Sequence, residues 1–214
     1  MNKPEKAKDE EQRLRTLRAL NILDTGPEER FDRITRMAKR IFDVPIALVS
    51  LVDEDRQWFK SCIGFNVSQT PRDISFCGHA ILGDQIFIIP DATKDERFAD
   101  NPMVINEPHI RFYAGCPLMF VDGSRIGTLC IIDDKPRHFD SDDMQALKDL
   151  ATTAERELAA VQLATLDVRT NTYQRRGVGL GGRHRFKIGF RRGCAACRAV
   201  RDLDDFTECK ERYG

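Results

Sequence analysis

The sequence predicts an α+β domain, in which helices pack on an antiparallel sheet. Two observations lead to this prediction. Short apolar runs rich in β-formers, with turn residues between them, fill the middle of the chain, whereas segments with helical spacing lie at both ends. At 214 residues with 41% hydrophobic content, the chain has room for one ordinary domain and a short second segment.

Two helices are predicted before the first strand. Residues 1–13 form a polar N-terminal segment, and apolar residues at helical spacing run from Glu10 to Leu23. The residues Thr25-Gly26-Pro27 break this helix. Pro27 suits the first turn of the next helix, with Thr25 as a candidate cap. An amphipathic stripe from Phe31 to Phe42 then marks the second helix.

Strands and a final helix are predicted in the rest of the domain. The expected strands are Pro45–Val52, Gln57–Ile63, Gln85–Ile89, Phe112–Phe120 and Arg125–Ile132. Asp122-Gly123 is a strong hairpin signal between the last two. Phe76–Leu82 is expected to be a short helix, and the long loop Asp91–His109 is typical of a functional or disordered segment. Ser141 is expected to cap a helix that runs to Leu166 over roughly six turns.

Charge is distributed unevenly, although the formal net charge is zero. Residues 1–168 carry 22 basic and 29 acidic residues, a net charge of −7, whereas residues 169–201 carry ten basic residues and no acidic one. No signal-peptide core is visible, and no apolar run approaches the ~20 residues of a membrane-spanning helix. We therefore expect a cytoplasmic protein with no membrane partner, whose seven cysteines are reduced.

Five segments resemble successive blocks of bacterial GAF sensor domains, in the family's order and at its spacing. They are VPIALVSLVDEDRQWFKS (44–61), PRDISFCGHAI (71–81), DERFADNP (95–102), IRFYAGCPL (110–118) and RIGTLCIID (125–133). The resemblance covers residues 14–166. It implies a GAF-like antiparallel sheet of about five or six strands with flanking helices, and an unknown small-molecule ligand held between the sheet and the intervening helix and loop. It also implies a homodimer formed through the terminal helices.

Candidate ligand-binding residues are the aromatic and polar side chains of the segments that would line this cavity, because small-molecule pockets combine apolar walls with a few polar groups. They are Trp58, Phe76, Cys77, His79, Asp91, Phe98, His109, Phe112 and Tyr113. For each aromatic residue the alternative is a purely structural place in the core. The cysteines of the domain are expected to be small buried apolar residues rather than redox or chromophore sites. No cofactor is predicted beyond the unknown ligand.

The tail resembles the start of a GGDEF diguanylate cyclase domain. LATLDVRTNTYQRRG (163–177) is similar to the junction that opens such domains, and DLDDF (202–206) is similar to their first metal-binding segment. The resemblance makes Asp202 a vestigial metal ligand. Between the two segments a glycine-rich basic stretch replaces the expected helix and strand, Thr207 and Lys210 depart from the family pattern, and no GGDEF loop follows. Residues 167–214 are therefore interpreted as a truncated, degenerate and poorly ordered remnant, altered in reading frame or decayed.

Other interpretations of the tail are weaker. Ten basic residues among glycines are compatible with nucleic-acid binding, but a solvated basic linker is the expected state. The pair Cys194 and Cys197 lacks the second close pair of a structural zinc site. The sequence thus predicts a small-molecule-binding GAF sensor module in signal transduction, without a complete catalytic domain and so not an enzyme. The alternatives are a fragment of a diguanylate cyclase, which converts GTP to cyclic di-GMP, and a thiol-dependent GAF enzyme.

Overall fold

A computed structural model describes residues 1–167 and 172–173 of the protein, with side chains described up to residue 162. The helices are α1 (Glu10–Ala19), α2 (Glu29–Phe42), α3 (Phe76–Ala80), α4 (Pro102–Ile105) and α5 (Ser141–Thr165), with a 3-10 helix at Arg72–Ile74. The strands are β1 (Ile46–Val52), β2 (Arg56–Ile63), β3 (Gln69–Pro71), β4 (Phe87–Ile89), β5 (Phe112–Met119), β6 (Arg125–Asp133), β7 (Leu166–Asp167) and β8 (Thr172–Tyr173).

One antiparallel sheet of six strands forms the centre of the domain, in the order β3-β2-β1-β6-β5-β4. The central pair, β1 and β6, runs in register from Ile46 opposite Ile132 to Leu51 opposite Gly127. A Cβ atom at Gly127 would lie 2.0 Å from the backbone oxygen of Ser50, so only glycine fits this close approach. The predicted α+β class, with an antiparallel sheet and a long C-terminal helix, is confirmed.

The two faces of the sheet are covered by different elements. The helix face packs against α1, α2 and α5; its sheet residues include Ala47, Val49, Leu51, Trp58, Phe112, Ala114, Leu129 and Ile131. The cavity face packs against α3 and the segment from β4 to β5; its sheet residues include Ile46, Leu48, Phe59, Tyr113, Cys130 and Ile132. Each face therefore has its own apolar cluster, as the alternation of side chains along a strand requires.

The first helix ends earlier than predicted. α1 stops at Ala19, and Asn21 and Asp24 adopt positive φ angles that no helix can continue through. Thr25 does not cap α2, because its hydroxyl donates to the carbonyl of Ile22 and accepts from the buried amine of Lys60 at 2.8 Å. The hydroxyl that the local sequence predicts as a helix cap is thus engaged in a long-range hydrogen bond with Lys60.

The last helix has a different cap from the predicted one. Asp140 rather than Ser141 accepts hydrogen bonds from the backbone, with its Oδ1 atom 2.9 Å from the amides of Asp142 and Asp143. Aspartate is as good an N-cap as serine, so two adjacent candidates could not be separated by residue type. Asp122-Gly123 forms the predicted turn, with Gly123 at a φ angle of 80°. The long loop contains the short helix α4, which the sequence did not predict.

Candidate functional site

A small enclosed cavity lies between the sheet and α3, on the cavity face. It is lined by Ile46, Leu48, Gln57, Phe59, Phe65, Phe76, Cys77, Met103, Pro108, Ile110, Tyr113 and Ile132. The free space is about 10 Å³ for the centre of a water molecule, which is room for about one water. The lining is apolar apart from the amide of Gln57, the phenol of Tyr113 and the thiol of Cys77. In this conformation the site is closed, and a larger ligand must displace side chains.

Stacked aromatic rings fill the space beside the cavity. The ring centroid of Phe76 lies 4.2 Å from that of Phe98, and the two rings are nearly parallel. The centroid of Tyr113 lies 5.2 Å from that of Phe76. The rings of Phe87 and His79 meet Phe98 edge-on at its other sides. Such pairs contribute about 0.5–1.5 kcal/mol each beyond the burial of their area. Phe76 and Tyr113 belong both to the stack and to the cavity wall, so a movement of the stack would change the size of the cavity.

Hydrogen bonds fix the short elements that carry these rings. Ser75 caps α3, since its Oγ atom accepts from the amide of Gly78 at 2.8 Å, and the same hydroxyl donates to the side-chain oxygen of Gln57 on β2. Asn101 caps α4 through Met103 and donates to the carbonyl of Ile74 at 2.9 Å. Polar side chains thus tie α3 to β2 and the loop to the 3-10 helix, whereas long packed helices cover the other face.

Two thiols meet behind the cavity. The Sγ atoms of Cys77 on α3 and Cys130 on β6 are 3.7 Å apart, and the hydroxyl of Tyr113 donates to Cys77 at 3.4 Å. All three side chains are buried. Gly115 makes this arrangement possible, because a Cβ atom there would lie 2.1 Å from the hydroxyl oxygen of Tyr113. The glycine leaves the room in which the phenol reaches the thiol.

Two hydroxyl groups complete this polar cluster. Within the described part of the chain, Ser50 Oγ and Thr128 Oγ1 are buried without a hydrogen-bond partner, and the two residues face each other across β1 and β6. Burial acts to raise the pKa of Cys77, but the donors around it, Cys130 first, stabilise its thiolate and bring the pKa down to about 7. Burial raises the pKa of Cys130 well above its ordinary value. The cluster therefore favours one thiolate, at Cys77.

The structure brings together four of the nine candidate residues: Phe76, Cys77, Phe98 and Tyr113 meet at the cavity or in the stack beside it. His79 lies at the margin of the stack, half-buried, with its Nε2 atom 3.1 Å from the carbonyl of Asn2. Its pKa is lowered, chiefly by burial, which keeps the ring neutral at pH 7. The group that the sequence proposed is therefore partly assembled.

The other four candidates lie elsewhere. Trp58 and Phe112 belong to the helix face, on the opposite side of the sheet. Asp91 closes a local turn by accepting from the amide and hydroxyl of Thr93, and His109 is exposed next to Glu107. None of the four lines the enclosed cavity. The structure thus does not bring these four residues to the cavity where the sequence analysis expected them. Asp202 lies outside the described residues.

Sequence reasoning missed the partners of Cys77. Ser50, Thr128 and Cys130 lie in the middle of apolar strands. Because a buried polar residue is costly unless it has a partner, the two hydroxyl residues within apolar strands are a signal that could have indicated a functional cluster. Within the described residues, no group of three or more His, Cys, Asp or Glu side chains could hold a metal ion. No helix in the same part of the chain is long and apolar enough to cross a membrane.

Comparison with known proteins gives the family. The sequence model of the GAF domain matches residues 26–158. A protein of Pseudomonas aeruginosa named cyclic di-GMP phosphodiesterase is 47% identical to this chain over 137 residues. The match covers 64% of this chain but only 23% of that protein. The likeness therefore concerns one domain of the longer protein.

Solved structures share the fold. The GAF domain of an Acinetobacter phosphoenolpyruvate-protein phosphotransferase superposes with a TM-score of 0.55 at 21% identity, covering 71% of this chain and 95% of that one. A free methionine-R-sulfoxide reductase from Neisseria meningitidis, solved with its substrate, superposes with a TM-score of 0.54 at 20% identity, covering 72% and 90%. At these identities the likeness shows the fold, and activity must be argued from the site itself.

Proposed function

The chain belongs to the GAF domain family, and on this premise we propose that it is a regulatory module that binds a small molecule at the cavity face and has no catalytic activity of its own. Family membership supports a small-molecule-binding signalling role. The enclosed cavity beside α3 is the observation that supports a binding site on this face. Its signal would pass along α5, the 25-residue helix that leaves the domain.

Cyclic di-GMP signalling is the proposed context. The relative that is 47% identical over 137 residues is named a cyclic di-GMP phosphodiesterase, and residues 26–158 of this chain match the GAF domain. The GGDEF-like segment after residue 166, an expectation from sequence alone, agrees with the same context. The ligand of the cavity is expected to differ from cyclic di-GMP itself. The closed apolar cavity has no cationic side chain in its lining that could bind the phosphates of a nucleotide.

The expected ligand is small and largely apolar or aromatic. The cavity offers stacking against Phe76 and Tyr113, and two polar groups, Gln57 and Tyr113, that can fix orientation. Opening requires that α3, a helix of five residues, and the loop that carries Phe98 move apart from the sheet. The floor made by β1 and β6 is the firm side of the site.

Native mass spectrometry of the full chain tests this proposal. We expect a co-purified small molecule in the wild-type protein, lost in Leu48→Phe, which fills the cavity from the floor. Leu129→Phe is the matched control, because Leu129 lies on the helix face one register position away. Both substitutions overpack the core and should lower the free energy of unfolding by about 1–3 kcal/mol. The two variants are therefore distinguished by loss of the ligand and not by stability. The same spectra give the subunit number, for which we expect a dimer.

Any of the following results would count against the proposal. If no small molecule is retained, or if Leu129→Phe releases it as readily as Leu48→Phe, the cavity is not the binding site. Formation of cyclic di-GMP from GTP with Mg²⁺, or hydrolysis of cyclic di-GMP by the purified chain, would overturn the absence of catalysis. Reduction of free methionine sulfoxide would instead favour the thiol-dependent enzyme.

A further inference from the structure

We propose that Cys77 and Cys130 form a reversible disulfide, so that the cavity face contains a buried redox site that reacts with small hydroperoxides. The observation that carries this proposal is the contact of two buried thiols, 3.7 Å apart, from elements that are 53 residues apart in the chain. Nothing in it depends on the identity of the ligand, since the reaction needs only the two sulfur atoms and an oxidant.

The geometry allows the bond with little movement. A disulfide needs its sulfur atoms at about 2.05 Å, so the two must approach by roughly 1.7 Å. Cys130 is fixed in β6, which pairs on both sides with β1 and β5. Cys77 is in α3, a helix of five residues. The short helix is therefore the side that can move, and it carries Phe76 with it.

The polar cluster around the pair favours the reaction at Cys77. The phenol of Tyr113 already donates to its sulfur, and the unpartnered hydroxyls of Ser50 and Thr128 can turn their hydrogens toward a thiolate, because a hydroxyl rotates freely. These two hydroxyls otherwise have no structural task in the described part of the chain. A buried polar group without a partner destabilises the fold, and a role as donor to the thiolate accounts for both hydroxyls.

The cavity supplies a place for the oxidant. Cys77 forms part of the cavity wall, and hydrogen peroxide, which is one oxygen atom larger than the water molecule that the free space accepts, enters with a small displacement of the lining side chains. The Cys77 thiol loses its proton, and the thiolate sulfur attacks one peroxide oxygen. The O–O bond breaks, and the released oxygen takes up that proton and leaves as water. Cys77 is then a sulfenic acid.

The second step closes the bond. The sulfur of Cys130 attacks the sulfenic sulfur of Cys77, the S–S bond forms, and the S–O bond breaks. The departing hydroxide takes the Cys130 proton and leaves as a second water molecule. In sum, two thiols lose two electrons and one hydroperoxide gains them. A cellular dithiol reverses the process by thiol–disulfide exchange.

The other described thiols lack these features. Cys62 is half-buried and thus the most accessible, but its thiol donates to the carbonyl of Phe65 at 2.9 Å and burial raises its pKa. Cys116 lies on the helix face, where burial, with the Glu155 carboxylate adding to it, raises its pKa to about 11. Exposure alone therefore predicts oxidation of Cys62 first, whereas the proposed chemistry predicts Cys77.

Peptide mapping of the wild-type full chain tests the proposal. The reduced protein is treated with one equivalent of hydrogen peroxide, and its remaining thiols are alkylated and counted. We expect the count to fall from seven to five, with one cross-linked peptide pair that joins Cys77 to Cys130 and is about 2 Da lighter than the two free peptides. Treatment with dithiothreitol should restore the count of seven.

Two variants sharpen the result. In Cys130→Ala we expect oxidation to stop at a sulfenic acid on Cys77, which dimedone traps. Cys116→Ala is the matched control and should retain the Cys77–Cys130 cross-link. The wild-type map stands even if a variant fails to fold. A map in which Cys62 or Cys116 is oxidised first, or in which Cys77 and Cys130 both stay reduced, overturns the proposal.

Discussion

The helix face and the cavity face of the sheet are both buried, but they differ in what covers them. Long helices α2 and α5 cover the helix face with apolar side chains. Thr35, a buried threonine of α2, has its hydroxyl fully used, since it donates to the carbonyl of Asp32 and forms a hydrogen bond with Ser61 at 2.8 Å. Short elements cover the cavity face, where Thr128 has no hydrogen-bond partner among the described residues.

This difference teaches how the domain divides its tasks. A face with satisfied polar groups and long packed helices supplies stability, because burial of apolar area is the main favourable term in folding. A face with unpartnered hydroxyls, a thiol pair and an aromatic stack gives up part of that stability. Deviations from good packing and full hydrogen bonding are expected at functional sites. The contrast thus supports the cavity face as the place of function.

Replacement of a buried phenylalanine on each face should give the largest difference. Phe31→Ala, on α2, is expected to cost about 4–5 kcal/mol, because the long helices around it cannot collapse into the space. Phe98→Ala, in the loop, is expected to cost about 3 kcal/mol or less, since its neighbours are short segments that can close the gap. Urea denaturation measures both free energies of unfolding. Equal costs would show that the two faces are equally firm.

A partly buried carboxylate joins the two faces and should give the next largest effect. Glu10 on α1 accepts from Arg13 and from Arg72, the residue that begins the 3-10 segment before α3. Partial burial acts to raise the pKa of Glu10, but the hydrogen bonds from Arg72 and Arg13 outweigh it and lower the pKa to about 2. The Arg13 side chain is also fully buried and donates to the carbonyl of Val52.

Glu10→Gln is expected to cost about 2 kcal/mol at pH 7, less than the ~3–5 kcal/mol for a fully buried pair because water screens part of it. A carboxylate with a lowered folded pKa stabilises above its unfolded pKa. The advantage of the wild type over Glu10→Gln should therefore be complete above pH 4.5 and shrink as the pH falls toward 2. Glu11→Gln, an exposed position on the same helix, should change little. A difference independent of pH would contradict the assignment.

Much of this arrangement was readable from the sequence, and its limits have physical reasons. Periodicity located five strands of the sheet and α5, because it reports the local environment of one face. It missed the three-residue edge strand β3. The same rule excludes Phe112 and Tyr113 from a shared cavity, since neighbouring residues in a strand point to opposite faces. The two residues therefore cannot both line one cavity, and Phe112 is the one that lies on the helix face. Trp58 on β2 likewise belongs with the helix face.

Other features depend on contacts between distant segments. Cys130 meets Cys77 only because α3 lies across β6, and no local pattern determines that position. Thr25 is withdrawn from the helix cap by the amine of Lys60, which lies 35 residues away. Arg13 and Arg72 carry charges that sequence reasoning places at the surface, yet both are buried around Glu10. Charge pairs of this kind are specified by tertiary structure alone.

The two threonines should give the smallest and most discriminating difference. Thr→Val keeps the shape of the side chain and removes only the hydroxyl. Thr35→Val leaves the groups that bonded to it without this partner, and a cost of about 1–2 kcal/mol is expected. Thr128→Val removes a hydroxyl that has no partner among the described residues, so we expect stability to rise by up to about 1 kcal/mol. Urea denaturation of the reduced proteins measures both changes.

The sign of the Thr128→Val effect decides what that hydroxyl does. If it serves only a thiolate at Cys77, its removal stabilises the fold and, through loss of a donor, raises the pKa of Cys77. Peroxide should then oxidise the Thr128→Val protein more slowly at pH 7, although the protein is more stable. A loss of stability equal to that of Thr35→Val would mean that Thr128 has a structural partner. The buried hydroxyls of the cavity face would then be hydrogen-bonded for stability, as that of Thr35 is on the helix face.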